Sequence, residues 1–261
     1  MLHLAAVASV TKGLLRPGTT EAINVGGMIN VLEVARKYGV RRVGFASSAA
    51  VYGNPQRVPC AESAAPAPMS QYGIHKLSGE MYARVYQEMY GLETVCLRYF
   101  NVYGPRQDAS SPYSGVITRF LSLLQRGEKP TINGDGKQSR DFVYVKDLAA
   151  VNIAALFKDG ISHAVLNVGT GRVTTIVELY KQLCQLQGVP AEMAFGPARQ
   201  GDIRHSRADV TQLGRVLGYV PNTSLTLGLS LSMKAMLEEM NERAEATEAA
   251  PLGRLALQTA R

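Results

Sequence analysis

Residues 42–46 (Arg-Val-Gly-Phe-Ala) form an apolar-biased run without alternation, the pattern of a strand buried on both faces. Ser47 and Ser48 follow at its C-terminal end, where open α/β sheets place their chemistry. Pro55, Pro59, Pro66 and Pro68 keep the next stretch irregular. From Gln71 to Tyr90 the spacing predicts a helix, with Ser70 as N-cap and Gly91 as stop. On it Tyr72 and Lys76 stand at i and i+4 and share one face. A second helix is predicted over 20–38, where Ile23, Met28, Val31, Leu32 and Ala35 are the apolar positions and Gly39 closes it. Met1–Ala6 reads as a strand end and a turn, and Glu93–Tyr99 as a further strand. Strands alternating with helices predict a doubly wound parallel sheet.

After Gly104-Pro105 the pattern changes. Residues 106–114 read as an irregular loop, followed by a helix over 116–125 and a short strand over 129–133. A strand over 142–145, a helix within 146–157 and a strand over 165–168 come next. Gly169-Thr170-Gly171 reads as a tight strand-to-helix turn rather than a phosphate loop, because no Gly-Lys-Ser/Thr follows. Helices over 174–187, 209–217 and 225–245 complete the pattern. Two units are expected: 1–103 with 139–160 returning to it, and a smaller one from 104–138 and 161–245, with 246–261 as a loose tail.

Composition narrows the function classes. Of 261 residues, 46% are hydrophobic and 19% charged, an ordinary globular balance. No apolar run reaches membrane-spanning length, and the first residues lack the marks of a signal peptide. Cys60, Cys96 and Cys184 lie far apart without a C-x-x-C, which fits a reducing cytoplasm and excludes a Cys-rich zinc site. The four histidines are scattered, so no metal site is expected. The net charge of +7 comes from short pairs such as Arg41-Arg42, so no nucleic-acid partner is expected. Arginines recurring in loops suit an anionic small substrate better.

Tyr72 and Lys76 have a chemical use. A phenol near pKa ~10 is a poor base at neutral pH, and an ammonium one turn away favours the phenolate. Alone, Y-x-x-x-K is usually a surface pair on an amphipathic helix. A Ser-Ser strand end 24 residues before the tyrosine makes the combination far more specific.

In this arrangement Ser48, Tyr72 and Lys76 resemble the extended short-chain dehydrogenase/reductase superfamily, and within it the NAD-dependent sugar-nucleotide epimerases of the UDP-glucose/UDP-N-acetylglucosamine 4-epimerase type. The likeness continues in His3-Leu4-Ala5-Ala6, Asn24-Val25, the run from Arg98 to Pro105, Gly134-Asp135-Gly136 with Ser139-Arg140-Asp141-Phe142, Asn167–Gly171 and Arg199-Gln200-Gly201-Asp202. It implies a Rossmann-like sheet plus a smaller α/β substrate-binding domain. It also implies NAD lying against Leu4, Ala5 and Ala6, with Asn24 and Ser47 near it. Lys76 would bond the nicotinamide ribose, Phe100 and Val102 would flank the ring, and its positive charge would lower the Tyr72 pKa further. For Phe100 and Val102, core packing is the bland competitor.

For the substrate, a nucleotide sugar, the resemblance implies Asn101, Arg140 and Arg199 on the diphosphate and Asp202 near the uridine ribose. The competing readings are a salt bridge from Arg140 to Asp141 or Asp147, and a solvated charge at Arg199. Tyr72, directly or through Ser48, would take the proton of the sugar 4-hydroxyl. Ser206, seventh after Arg199, matches a gate where a small residue admits a 2-N-acetyl group. Related dehydratases and decarboxylases carry carboxylates after the serine, whereas this chain has Ala49-Ala50. A non-catalytic sugar-nucleotide sensor is the rival from another class. The family's Gly-rich turn and ribose-binding acid are absent, so roughly 60 to 80 residues of βα units are expected to be missing from a fragment with a mis-assigned start. The helices at 20–38 and 71–90 would pair two copies into a four-helix bundle, a homodimer.

Overall fold

The structure, a computed structural model, describes residues 1–8, 10–107, 115–199 and 201–248. In chain order the elements are β1 (Leu2–His3), α1 (Val10–Leu15), α2 (Pro17–Glu21), α3 (Gly27–Lys37), β2 (Arg42–Ser48), α4 (Gln71–Tyr90), β3 (Glu93–Tyr99) and β4 (Asn101–Tyr103). Then come α5 (Val116–Gln125), β5 (Thr131–Asn133), β6 (Ser139–Arg140), β7 (Phe142–Tyr144), α6 (Val145–Phe157) and β8 (His163–Val168). The chain continues through β9 (Thr174–Thr175), α7 (Ile176–Gln187), β10 (Ala194–Gly196), α8 (Thr211–Leu217) and α9 (Leu225–Glu248).

Four parallel strands in the order β1-β2-β3-β8 make the main sheet. Helices α3 and α4 cover one face, burying Met28, Leu32 and Ala83 against Phe45 and Cys96. Helices α6 and α8 cover the other, where Leu148, Val151 and Leu213 meet Val95, Leu97 and Leu166. Burial on both faces is why β2 and β3 read as unbroken apolar runs. A second core joins α5, α7 and α9 through Phe120, Leu179, Leu183 and Leu229. Two small parallel pairs, β4-β7 and β5-β10, and the antiparallel pair β6-β9 border it. The doubly wound α/β reading therefore holds. No described helix is long and apolar enough to cross a membrane.

The structure departs from the sequence reading in particular places. The segment 163–168, grouped above with the smaller unit, is the fourth strand of the main sheet. Its place beside β3 is a pairing across 69 residues that local pattern does not encode. The single helix over 20–38 is instead α2 and α3 joined by a wide π-helical turn at 22–26. Helix α1 and the two- and three-residue strands β4, β6, β9 and β10 are too short to leave a period. Helix α9 runs three residues into the expected tail, whose residues 249–261 lie outside those described, as do 108–114 of the expected loop.

Polar groups tie the layers together inside the main unit. Arg98 on β3 and Glu80 on α4 form a two-pronged ion pair at 2.7 and 2.9 Å with both side chains 5% exposed. Ser47 on β2 donates to the same carboxylate at 2.5 Å. The other side of Arg98 donates to the Tyr52 hydroxyl (2.8 Å), which donates to Asn167 on β8 (2.7 Å). Asn167 in turn holds the carbonyls of Cys60 and Asp209. Removing one partner strands a buried charge, so Glu80→Leu is expected to cost about 3–5 kcal/mol, whereas Glu80→Leu with Arg98→Met should recover most of it. Urea unfolding of the three proteins checks this; a Glu80→Leu protein as stable as wild type would show that the pair contributes nothing.

Candidate functional site

The site starts at the C-terminal end of β2. Ser48 is extended, with φ −151° and ψ 148°, and its hydroxyl accepts from the Ala50 amide at 3.2 Å, capping a tight turn over 49–52. Helix α4 begins against that turn. Its N-cap Ser70 accepts from the Gly73 amide at 3.1 Å. A Cβ at Gly73 would lie 2.6 Å from the Ala50 carbonyl oxygen, so glycine permits the close approach. That approach places the Tyr72 phenol close enough to Ser48 for the serine hydroxyl to lower its pKa.

Lys76, one turn on, is 4% exposed. Its ammonium donates to the Ala46 carbonyl at 2.6 Å and lies 4.9 Å from the Phe45 ring centre and 5.7 Å from that of Tyr72. Burial lowers its pKa from an ordinary 10.5 to about 8. Burial also pushes the Tyr72 phenol up, partly offset by the Ser48 hydroxyl. The depression expected for Tyr72 is thus not produced by these side chains alone, because desolvation outweighs the lowering by Ser48.

Of the residues expected along the cofactor, Leu4 and Ala5 are exposed just beyond β1 and Ala6 is half-buried. Asn24, in the π-helical turn, exchanges two hydrogen bonds with the Val7 backbone and contacts His75 Nδ1 at 3.3 Å. It holds the strand-end loop. Ser47 is 2% exposed and spent on Glu80, so its hydroxyl faces the core. Phe100 packs with Tyr52 and borders a cavity, while Val102 packs into the α6–α8 core. Lys76 uses one of its three donors on protein among the described residues, which leaves donors for ribose hydroxyls. With the exposed 4–6 edge, this fits the nicotinamide-riboside end of a dinucleotide.

The expected substrate residues fall along one trough. A cavity of about 210 Å³ is bordered by Ser48, Asn101, Arg140 and Ser206. A neighbouring one of about 510 Å³ is bordered by Asn101, Arg140, Arg199 and Asp202. They share Asn101 and Arg140. Tyr72 stands behind Ser48 and borders neither. The partner of Arg140 is Asp202, at 2.7 Å, not Asp141 or Asp147. Asp147 accepts from Thr223 and Tyr219.

Asp141 is fully buried and accepts from the Thr170 amide and hydroxyl and from the amides of Gly171 and Ala208, at 2.8–3.1 Å. The Gly169–Gly171 turn therefore wraps a carboxylate of the chain itself. A Cβ on Gly169 would stand 2.7 Å from that carboxylate. Sequence reasoning missed Arg119 and Arg207, which border the larger and smaller cavities. Each is a lone arginine outside any quoted motif, and only the basic net charge hinted at either.

A sequence profile of the NAD dependent epimerase/dehydratase family matches residues 1–169. A putative UDP-glucose 4-epimerase of Methanocaldococcus jannaschii is 38% identical over 230 residues, covering 88% of this chain and 74% of that protein. The solved UDP-N-acetylglucosamine 4-epimerase from Methanobrevibacter ruminantium, in complex with UDP-N-acetylmuramic acid, superposes with a TM-score of 0.88 at 37% identity, covering 92% of this chain and 76% of that one. A UDP-glucose 4-epimerase of Thermotoga maritima with UDP-glucose gives 0.86 at 40%, over 92% and 77%.

The Lys76 shift carries a sign. Between pH 8 and 10.5 the unfolded chain holds a proton that the folded chain has released, so this group makes stability rise with pH across that window. Lys76→Met should flatten the rise. Urea midpoints from pH 7 to 10 check it; equal pH slopes in both proteins would mean that burial does not neutralise Lys76.

Proposed function

The chain belongs to the NAD dependent epimerase/dehydratase family, and we propose that it inverts C4 of a UDP-hexose through a transient 4-keto sugar. The observation that carries this reading is Ser48 at the head of a trough whose near wall is Ala49-Ala50, with Tyr72 and Lys76 on the helix packed behind it. The dehydratase and decarboxylase alternatives need a carboxylate there for protons at C5 and C6, and none borders that cavity among the described residues.

Ser48 hydrogen-bonds the sugar 4-hydroxyl, and Tyr72 takes its proton directly or through Ser48. Lys76 holds positive charge beside the phenol and stabilises the phenolate that results. Leu4–Ala6, Tyr72 and Lys76 would hold NAD, which would supply the hydride acceptor and donor for C4. Arg140 and Arg199 grip the diphosphate while the keto sugar turns over, with Asn101 at the joint of the two cavities. Asp202, paired to Arg140, lies toward the uridine. Ser206 on the sugar cavity wall leaves room for a 2-acetamido group.

Apolar side chains on the outer faces of α3 and α4, among them Val34, Ile74, Met81, Val85 and Met89, are exposed. They support pairing of two copies through a four-helix bundle. The solution mass should then be twice 28.2 kDa by sedimentation, and a single-chain mass would sink the pairing.

Tyr72→Phe removes the base and little contact area. Turnover of UDP-glucose should fall about 10²–10⁴-fold while UDP-glucose affinity holds. Wild-type protein should also turn over UDP-N-acetylglucosamine. Near-normal turnover by the Phe variant removes Tyr72 from its role, inert wild-type protein that still binds UDP-glucose favours the sensor, and failure on the acetylated sugar alone discards the Ser206 gate.

A further inference from the structure

His75 stands between Tyr72 and Lys76 on α4, borders neither cavity, and has no part in the chemistry described above. It is buried, 8% exposed, and its Nδ1 lies 3.3 Å from the side-chain nitrogen of Asn24. Asn24, in the 22–26 turn, accepts from the Val7 amide at 2.7 Å through its oxygen and donates to the Val7 carbonyl at 3.1 Å through its nitrogen. Those two bonds decide which end of the amide is which. The group that Asn24 turns toward His75 is therefore an N–H, and Nδ1 accepts. The ring is held as the neutral tautomer, with its proton on Nε2.

A second proton on this ring goes to Nδ1, because Nε2 already carries one. It sets an imidazolium N–H against the Asn24 N–H, donor facing donor in a buried space. Turning the amide over would offer its oxygen to His75, but both bonds to Val7 would then be lost. Either way the hold on Val7 weakens. Val7 directly follows Leu4–Ala6, the exposed edge read above as the seat of the dinucleotide.

The charges around α4 leave this ring to burial. Glu21, at the end of α2, is the charge whose field reaches it, and that field favours the imidazolium. Lys76 is turned onto the Ala46 carbonyl and the Phe45 ring, with His3 of β1 stacked on the same ring. Glu80 is paired with Arg98 of β3, and Glu33 with Arg36 on α3. Arg42 of β2 is paired with Glu93, and His163 of β8 is bonded to Thr94. Burial outweighs Glu21 and holds the imidazole below its ordinary 6.5. The ring is thus neutral at pH 7. What the clamp contributes is present above pH 6.5 and is lost as the pH falls through the lowered pKa.

We propose that His75 is a positioning residue for the cofactor: through Asn24 it clamps Val7, and with it the 4–6 edge, and it opens the clamp when it gains a proton. The proposal rests on the reading that NAD lies against Leu4–Ala6. His75 touches no reacting atom in this scheme and acts only through the Asn24 amide.

The test needs no turnover. Nitrogen-15 correlation spectra and calorimetric NAD titrations are recorded from pH 7.5 to 5 for wild type, His75→Asn and His75→Leu. Asparagine puts an acceptor that does not titrate where Nδ1 stood, and leucine removes the acceptor. In wild type the Val7 backbone amide and the Asn24 side-chain amide should shift in step with the His75 ring. NAD affinity should fall about tenfold over the same span, the effect of losing one buried hydrogen bond. Both changes should be absent from the Asn variant, and the Leu variant should bind NAD weakly already at pH 7.5. Where the Leu variant does not fold, the comparison of wild type with Asn decides alone. If the Val7 and Asn24 signals ignore the His75 titration, or NAD affinity falls equally in wild type and the Asn variant, the proposal is overturned and the epimerase reading stands. If wild-type protein binds no NAD at either pH, the reading of the 4–6 edge falls and the proposal with it.

Discussion

The buried ion pair between Glu80 and Arg98 is the constraint on which the rest of the main unit depends. Taking two charges out of water is costly, and only a complete set of partners offsets that cost. The chain supplies them from every neighbouring element: Ser47 from β2, Tyr52 from the turn after it, and Asn167 from β8 beyond Tyr52. The network therefore specifies which strand lies next to which. It also runs directly beneath the C-terminal end of β2, where Ser48 borders the cavity. Ser47 faces down into it, and Ser48, its immediate neighbour on the opposite side of the strand, faces the cavity. One residue of register separates a hydroxyl spent in the core from one that borders the cavity.

Much of this was legible because the relevant signals are local. Helix α4, its Ser70 cap, its Gly91 stop and the shared face of Tyr72 and Lys76 all lie within one period-3.6 segment. The strand β3 and the serines ending β2 are likewise local. What escaped was non-local. Asp202, the partner of Arg140, lies 62 residues away, and nearer acids in sequence drew the competing reading. The bond of the Ser47 hydroxyl left no local signal because its partner, Glu80, sits 33 residues on, inside a helix. The π-helical turn at Asn24 left no trace because the residues around it keep a helical period. Its cause is tertiary: Asn24 turns inward to meet the Val7 backbone.

Burial, rather than proximity, dominates the electrostatics of the reactive pair. Proximity of an ammonium favours a phenolate, but both groups here are mostly withdrawn from water, and desolvation moves each toward its neutral form. A phenol and an amine held in this way are poised to exchange charge with whatever arrives between them. Additional positive charge in the site would shift the balance toward phenolate, so the site's basicity is coupled to its occupancy.

Asp141 has a consequence for dimensional control. Its one carboxylate receives amides from the 170–171 turn and from Ala208, while its own backbone carries Arg140 next door. Arg140 and the Ser206–Arg207 segment, which border the smaller cavity from separate stretches of chain, are thus measured from a common datum. Positional errors do not accumulate along the intervening 60-odd residues, because both flanks are gauged against the same two oxygens. Thermal motion of these flanks is accordingly expected to be in phase, conserving the gap between them as they move. The width of the smaller cavity is then a property of one buried acid, not of the loop lengths around it.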